Sequence, residues 1–456
     1  MRPRIEPMLR VVDLRAHPAD AEVRTLLPRA KFDVEHAIAS VQPICQAVRD
    51  EGLEALRRYG EKFDGVRYPD ASPSRFRVSA EAIQCATEDL AADLRDAICE
   101  SIRRRRQVCE QVEIEAAWRS TELAPGAVVG QRLLPVQRVG LYVPGGVAPL
   151  ASSVLMNVIP AQVAGVPSLA VASPPQAEFD GLPHPAILAV CGLLGVDEVY
   201  AVGGAQAIAM FGYGVPELCA PVDMVTGPGN VYVAAAKRLL RGQIAIDADA
   251  GPSEIAILAD DCADARLVAA DLLSQAEHDL LAGSVLVTDS QQLLAAVQAE
   301  LSVQSTKLAT AERLTQALRG EQSAAVLVRD LEQGIDVINA YGAEHLEIQT
   351  REAQRVAEQI TNAGAIFLGA YSPVPLGDYS AGSTHVLPTG GAARFSSGLS
   401  VRSFMRAVHV IDYSAAALAE LSQKVQDFAQ AEQLPAHAAA IALRQQLAEQ
   451  GERSER

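Results

Sequence analysis

The chain is poor in aromatic residues, 4% in all with a single Trp, so large rings cannot build its core. Ala, Val, Leu and Ile dominate a 49% hydrophobic composition instead, a balance suited to helices packed on buried parallel strands. A basic excess is also missing. With 39 Lys and Arg against 56 Asp and Glu, the formal charge is −17 and the pI near 5.0, which excludes the cationic face that a phosphate backbone requires. An acidic balance serves solubility. The one basic run, Arg103 to Arg106, falls in a helical stretch where consecutive residues spread around the axis, and reads as a solvated helix face.

Cysteine pairs are absent too. Cys45, Cys85, Cys99, Cys109, Cys191, Cys219 and Cys262 are scattered, odd in number and never at CxxC spacing, which excludes a disulfide framework and a thiolate zinc knuckle. They read as reduced core residues. Met1 to His17 mixes charge with proline and has no apolar segment of the signal-peptide kind, and no run approaches the ~18 uninterrupted apolar residues of a membrane span. A soluble, cytoplasmic protein with no nucleic-acid or membrane partner is expected.

What the chain does have is rhythm. Its 456 residues exceed the ~250–300 that one hydrophobic core organises, so at least two domains are expected. From Arg138 to Ala250, strand-like runs (Val139 to Val143, Ser168 to Ala172, Glu198 to Val202, Asp223 to Thr226, Ile244 to Asp247) alternate with helix-like ones, punctuated by Gly and Pro. A second series runs through Glu254 to Ala259, Ser284 to Val287, Ala324 to Val328, Leu346 to Gln349 and Ala365 to Leu368. The fold predicted is α/β, with two Rossmann-like, doubly wound parallel sheets and ligands in a crevice at strand C-terminal ends. The flanks, before Arg138 and after Phe404, read as helical.

Few polar motifs interrupt this pattern. Gln275-Ala276-Glu277-His278 closes a predicted helix, and its i,i+3 spacing puts Gln275 and His278 on one face; a polar helix end whose His complements the dipole is the plainer reading. Glu344-His345 stands at a predicted loop–strand junction, with side chains on opposite sides, as two proton-transfer groups or an exposed pair. Asp378 and His385 lie in a Gly- and Pro-broken loop of the kind that is commonly just solvated, and Glu432 and His437 in a helical tail, where a His is usually a surface residue. Three Gly-rich turns, at Pro144-Gly145-Gly146, Gly203-Gly204-Ala205-Gln206 and Gly227-Pro228-Gly229-Asn230, each follow a strand and open a helix, where backbone N–H groups can hold phosphate. None is a GxGxxG fingerprint, so spacing alone does not predict NAD.

Read together, these segments resemble the histidinol dehydrogenase family over nearly the whole chain. The resemblance rests on long blocks in one order, among them Val139 to Gly146, Val202 to Ala209, Ala250-Gly251-Pro252-Ser253-Glu254, Asp271 to His278 and His385-Val386-Leu387-Pro388-Thr389. It implies one zinc per subunit on Gln275, His278, Asp378 and His437, the last from the partner subunit of an intertwined homodimer. It implies Glu344 and His345 as the acid/base pair, and Tyr142, Gln206 and Asn230 as NAD contacts. Substrate contacts would be Ser253 and Glu432 together with His345 and the zinc ligands. The implied reaction is a four-electron oxidation of L-histidinol through the aldehyde to L-histidine, with two NAD reduced.

The implied domains are a dimerisation segment (1–34), a first Rossmann-like domain with the metal and acid/base residues (35–140 and 254–395), a second for NAD (141–253), and a helical segment reaching the partner (396–456). Thr384, where the family usually has Asn, Leu280-Leu281, where a Pro is common, and Pro435 depart from the pattern without removing a ligand. The competing readings are a zinc- and NAD-dependent dehydrogenase of another small polar alcohol, such as a sulfonated diol, and a zinc- or nucleotide-binding protein without activity.

Overall fold

The computed structural model describes residues 7–17, 23–30, 34–145, 149–248 and 251–454, with side chains as far as 448. Gly146 of the first Gly turn and Ala250 fall outside the described residues. The chain divides into two compact units, Met1–Glu113 with Gln137–Phe404, and Ile114–Val136 with Met405–Arg456.

Two all-parallel sheets organise the first unit. With strands numbered along the chain, the larger sheet contains Arg10–Asp13 (β1), Glu254–Ala259 (β9), Gly283–Thr288 (β10), Ala324–Leu327 (β11), Ala343–Gln349 (β12) and Ala363–Leu368 (β13). Its order is β1-β11-β10-β9-β12-β13. Side chains of β9 alternate between its faces: Ile255, Ile257 and Ala259 join Leu272 and Val297 on one, while Ala256 and Leu258 join Val326 and Ile338 on the other. Helices cover both, which is why these strands read as continuous apolar runs.

The smaller sheet contains Arg138–Tyr142 (β4), Ser168–Ser173 (β5), Val199–Ala201 (β6), Met224–Thr226 (β7) and Ala245–Ile246 (β8), in the order β6-β5-β4-β7-β8. Winding proceeds outward from β4 to one side and then resumes at β7 on the other. The gap between the ends of β4 and β7 is therefore a topological switch point, where α/β sheets open a crevice.

Three expectations about the flanks are corrected. The helices of 34–113 do not belong with the larger sheet: Val34–Glu51 packs on Gly204–Tyr213 and Val231–Leu240, and Ala80–Glu88 on Pro185–Leu193, all beside the smaller one. Val41, Cys45 and Val48 share a core with Ala207, Met210 and Ala235, so the helical face predicted for that segment is buried there. The N-terminal segment, in turn, supplies an edge strand, β1, which pairs in parallel with β11.

The third correction concerns the second unit, which is not all helical. Trp118–Ala124 (β2), Ala127–Pro135 (β3) and Met405–Tyr413 (β14) form an antiparallel sheet in the order β14-β3-β2. β2 and β14 are largely exposed, so no buried face enforces the apolar alternation by which a strand is read. Helices Ala415–Ala431 and Pro435–Ser454 follow as expected and pack on each other. No helix among the described residues is long and apolar enough to cross a membrane.

Candidate active site

Glu344 and His345 lie inside a strand, not in a loop. They are the second and third residues of β12, both are buried, and Glu344 Oε2 is 3.6 Å from His345 Nδ1, so the pair converges where opposite directions were expected. Glu254, the first residue of β9, holds both. Its N–H donates to Glu344 Oε2 at 2.9 Å, and its carbonyl oxygen lies 3.3 Å from His345 Nδ1. A carbonyl can only accept, so Nδ1 carries the proton and Nε2 keeps a free lone pair. That Nε2 has no hydrogen-bond partner and sits 4.0 Å from Asp378 Oδ1. Burial pushes His345 down to about 4 and Glu344 well above the usual carboxylate range. The imidazole is thus an unprotonated acceptor at neutral pH.

Asp378 also faces His278, whose Nε2 is 3.7 Å from Asp378 Oδ2, too far for a hydrogen bond. His278 follows the helix Ala265–Ala276, and its Nδ1 is 3.1 Å from the Ser274 carbonyl oxygen. The same logic assigns the proton to Nδ1 and leaves Nε2 as a ligand, the arrangement found when a backbone carbonyl orients a metal-binding His. One turn earlier, Gln275 is 0% exposed and neither atom of its amide has a partner among the described residues. Each such buried group costs roughly 1–3 kcal/mol unless something binds it. Among the described residues no three His, Cys, Asp or Glu side chains complete a metal cage. His278 and Asp378 face each other across the cleft, with the buried amide of Gln275 one turn before His278 on the same helix end.

His385, which reads from the sequence as part of a solvated loop, is a wall of the same cleft. Its Nδ1 is 3.1 Å from the Asp378 carbonyl oxygen and its Nε2 3.3 Å from Ser153 Oγ, so it ties the Asp378 segment to the helix Ala151–Val163 of the smaller sheet. The neighbouring Thr384 hydroxyl accepts the Val386 N–H at 3.1 Å, a local turn. Spacing gave no signal for either contact, because both cross from one sheet's elements to the other's or close a loop on itself.

The cleft, open to solvent, is lined by Ser253, His278, Glu344, His345 and Asp378 on one side, and by Pro228 and Asp247 on the other. The expected crevice at strand C-terminal ends holds for the smaller sheet only. On the larger one the site gathers at the amino ends of β9 and β12, where the antiparallel helix bearing Gln275 terminates.

Residues expected to meet the cofactor surround the switch point. Tyr142 ends β4 and its hydroxyl accepts the Gly204 N–H at 3.1 Å; Gln206 is buried in the helix that Gly204 opens, 3.5 Å from Asp64 Oδ2. Asn230 caps the helix Val231–Leu240, accepting N–H groups of Tyr232 and Val233 at 3.0 and 3.2 Å. Between them Gly227, at φ +114°, comes so near Tyr142 that an added Cβ would lie 1.9 Å from the Tyr142 carbonyl oxygen. Lys237 and Asp247 form a buried ion pair around the same peptide: Lys237 Nζ donates to the Gly227 carbonyl at 3.0 Å, and Asp247 Oδ2 accepts its N–H at 2.8 Å. Two helix N-termini and a turn only glycine can make meet here, an arrangement whose backbone N–H groups could hold a phosphate.

Behind the cleft, a second pair of carboxyl groups adjusts stability to pH. Glu347 on β12 is fully buried and accepts the Val374 N–H at 3.0 Å, at the start of the short helix Val374–Tyr379 that carries Asp378. Burial, and then the neighbouring Asp271, push Glu347 up to about 9. Between the ordinary carboxylate range and that value the folded chain holds a proton that the unfolded chain has lost. Stability from this group is therefore present at low pH and declines as pH rises through the window, by up to about 1.4 kcal/mol per pH unit. Glu347→Gln is expected to flatten that decline in denaturant unfolding between pH 5 and 9; parallel curves for both proteins would contradict the assignment.

The first unit thus brings together Ser253, His278, Glu344, His345 and Asp378 along one cleft, while Gln275 is buried one turn before His278 on the helix Ala265–Ala276. Glu432, at the end of helix Ala415–Ala431, and His437, in the first turn of Pro435–Ser454, stand exposed on the second unit.

Comparison with known proteins identifies relatives of the whole chain. A family model described as histidinol dehydrogenase covers residues 27–445. The chain is 62% identical to the histidinol dehydrogenase of Cutibacterium acnes, over 96% of this chain and 99% of that protein, and 60% identical to that of Thermobifida fusca, over 95% and 97%. A crystal structure of histidinol dehydrogenase from Elizabethkingia anophelis superposes with a TM-score of 0.89 at 32% identity, covering 98% of this chain and all of that one. On the family match, the identity to these relatives and the shared fold, the chain belongs to the histidinol dehydrogenase family.

Proposed function

We propose that this protein oxidises L-histidinol to L-histidine in two successive steps at this one cleft, using two NAD, as the last step of histidine biosynthesis. The observation that carries the reading is the convergence, in one cleft, of an unprotonated buried His, a carboxyl group of raised proton affinity and the facing pair His278 and Asp378. Gln275, His278 and Asp378 would hold a zinc ion: an imidazole nitrogen, a carboxylate and an amide without a partner among the described residues suit that ion's preference for N and O ligands. The partner subunit's His437 would close the cage. When bound, zinc supplies a Lewis acid that anchors the substrate's nitrogens, and NAD, held near Tyr142, Gln206 and Asn230, supplies the hydride acceptor.

The chain's own residues then move protons. His345 Nε2 accepts the proton of the substrate hydroxyl as the alcohol becomes an aldehyde. Glu344 accepts a proton from water, whose oxygen adds to the aldehyde, and the hydrate is oxidised in its turn to the carboxylate. Ser253 and Glu432 position the substrate, and retention of the aldehyde in the cleft protects it between steps.

A homodimer completes the reading. His437 and Glu432 belong to the unit that also exposes Ile411 (72%), Phe428 (69%), Leu443 and Leu447, apolar surface of the kind a second copy covers. Purified protein incubated with L-histidinol and excess NAD should yield two NADH per histidinol and L-histidine as product. One NADH per substrate, or none, contradicts the assignment.

A further inference from the structure

The acid/base pair is held in place from a distance, by a residue near the other end of the chain. Glu254 is the only residue among those described here that grips both Glu344, through its N–H, and His345, through its carbonyl oxygen. Its backbone can do so only if it stays put: the β9 ladder holds it beside Gly283, and its side chain, which also accepts backbone hydrogen bonds from Gly391 and Gly390, anchors it further. The Glu254 carboxylate is buried, and Arg29 Nη1 donates to its Oε1 at 3.2 Å while the Tyr341 hydroxyl donates to its Oε2 at 3.3 Å. Arg29 is itself fixed twice more. Its Nη2 donates to the Tyr341 carbonyl, and its guanidinium lies 4.4 Å from the centroid of the Tyr341 ring.

A buried carboxylate without its counter-charge is costly, and it would lie next to a second carboxyl group, that of Glu344. Arg29 thus balances the charge at the first residue of β9 and locks its position. We infer that Arg29 is a positioning residue of this active site, acting through Glu254 to hold Glu344 and His345 in working register. The assignment rests on the functional reading above. It gives the loop after the helix Val23–Leu26 a role in catalysis although Arg29 is not among the residues lining the cleft.

Misplacing a catalytic group by about 1 Å can cost 10²-fold in rate, so Arg29→Met is expected to lower kcat about ten- to a hundredfold. KM for L-histidinol should change little, because the metal-binding side chains are untouched, and Arg29→Lys should recover much of the loss. In a Glu254→Gln background, where no buried charge awaits Arg29, the further change to Met should have a much smaller effect. This double variant also keeps the test open should Arg29→Met alone fold poorly. Wild-type kcat in folded Arg29→Met, or an equal loss in the Glu254→Gln background, overturns the inference. Wild-type protein assayed alongside separates the two claims: if it too is inactive on L-histidinol, the functional reading fails. The clamp is then judged from a crystal structure of Arg29→Met, where unmoved Glu344 and His345 overturn it.

Discussion

Replacing His345 with Ala is expected to lower the turnover of L-histidinol by about 10²–10⁴-fold, the range in which a positioned general base contributes. The size follows from geometry. Among the described residues, His345 Nε2 is a buried, unpartnered lone pair on the cleft wall, its tautomer set by the Glu254 carbonyl, and no other imidazole takes the same place. His278 Nε2 faces Asp378 from the opposite direction, and His385 Nε2 is engaged with Ser153. Glu344→Gln should behave differently. The amide can still accept the Glu254 N–H, so the first oxidation persists, but no base remains to deprotonate water and the second is slowed by a similar factor. Stopped-flow NADH traces with an aldehyde trap separate these outcomes: a slow first phase for His345→Ala, and one NADH with trapped aldehyde for Glu344→Gln. Unchanged kcat in His345→Ala would remove the mechanism and favour a protein that binds without turnover.

Much of the architecture is legible in the chain because burial on both faces leaves a simple trace. β4, β5, β9, β10 and β11 each sit within a residue or two of an apolar run bounded by Gly, Pro or Asp. β2, β3 and β14 do not announce themselves, since a small sheet with exposed strands imposes no strict alternation. The helices of 34–113 were legible as helices but not as partners of the smaller sheet, because an amphipathic stripe does not say which surface covers it. The site divides in the same way. Gln275 and His278 share a helix end, a local fact. The proximity of His278 to Asp378, of Glu344 to the Glu254 N–H, and of His385 to Ser153 depends on crossovers between distant segments, which no local spacing encodes. Family resemblance supplied the roles of Gln275, Asp378 and His437; residue spacing alone left all three as ordinary polar groups. Arg29, Glu254 and His385 became visible only through their contacts.

The second large effect concerns the open side of the metal cage. If the partner's His437 closes it, then His437→Ala and His345→Ala chains are each inactive for a different reason, and the lesions lie in different sites of a mixed dimer. One site receives both lesions and the other neither. Random pairing of equal amounts should therefore restore about a quarter of wild-type activity from two preparations that are nearly inert. Metal content should not follow activity: His345→Ala keeps every proposed ligand and should bind metal fully, His437→Ala should bind it weakly, and the mixture should hold about the average of the two.

The most direct measurement is thus the activity on L-histidinol after His437→Ala and His345→Ala proteins are unfolded together and refolded as a mixture. Recovery to about a quarter of the wild-type rate, with neither protein recovering when refolded alone, is the expected result. No recovery from the mixture, in conditions where co-refolded wild-type protein regains its activity, would contradict an active site assembled from two chains.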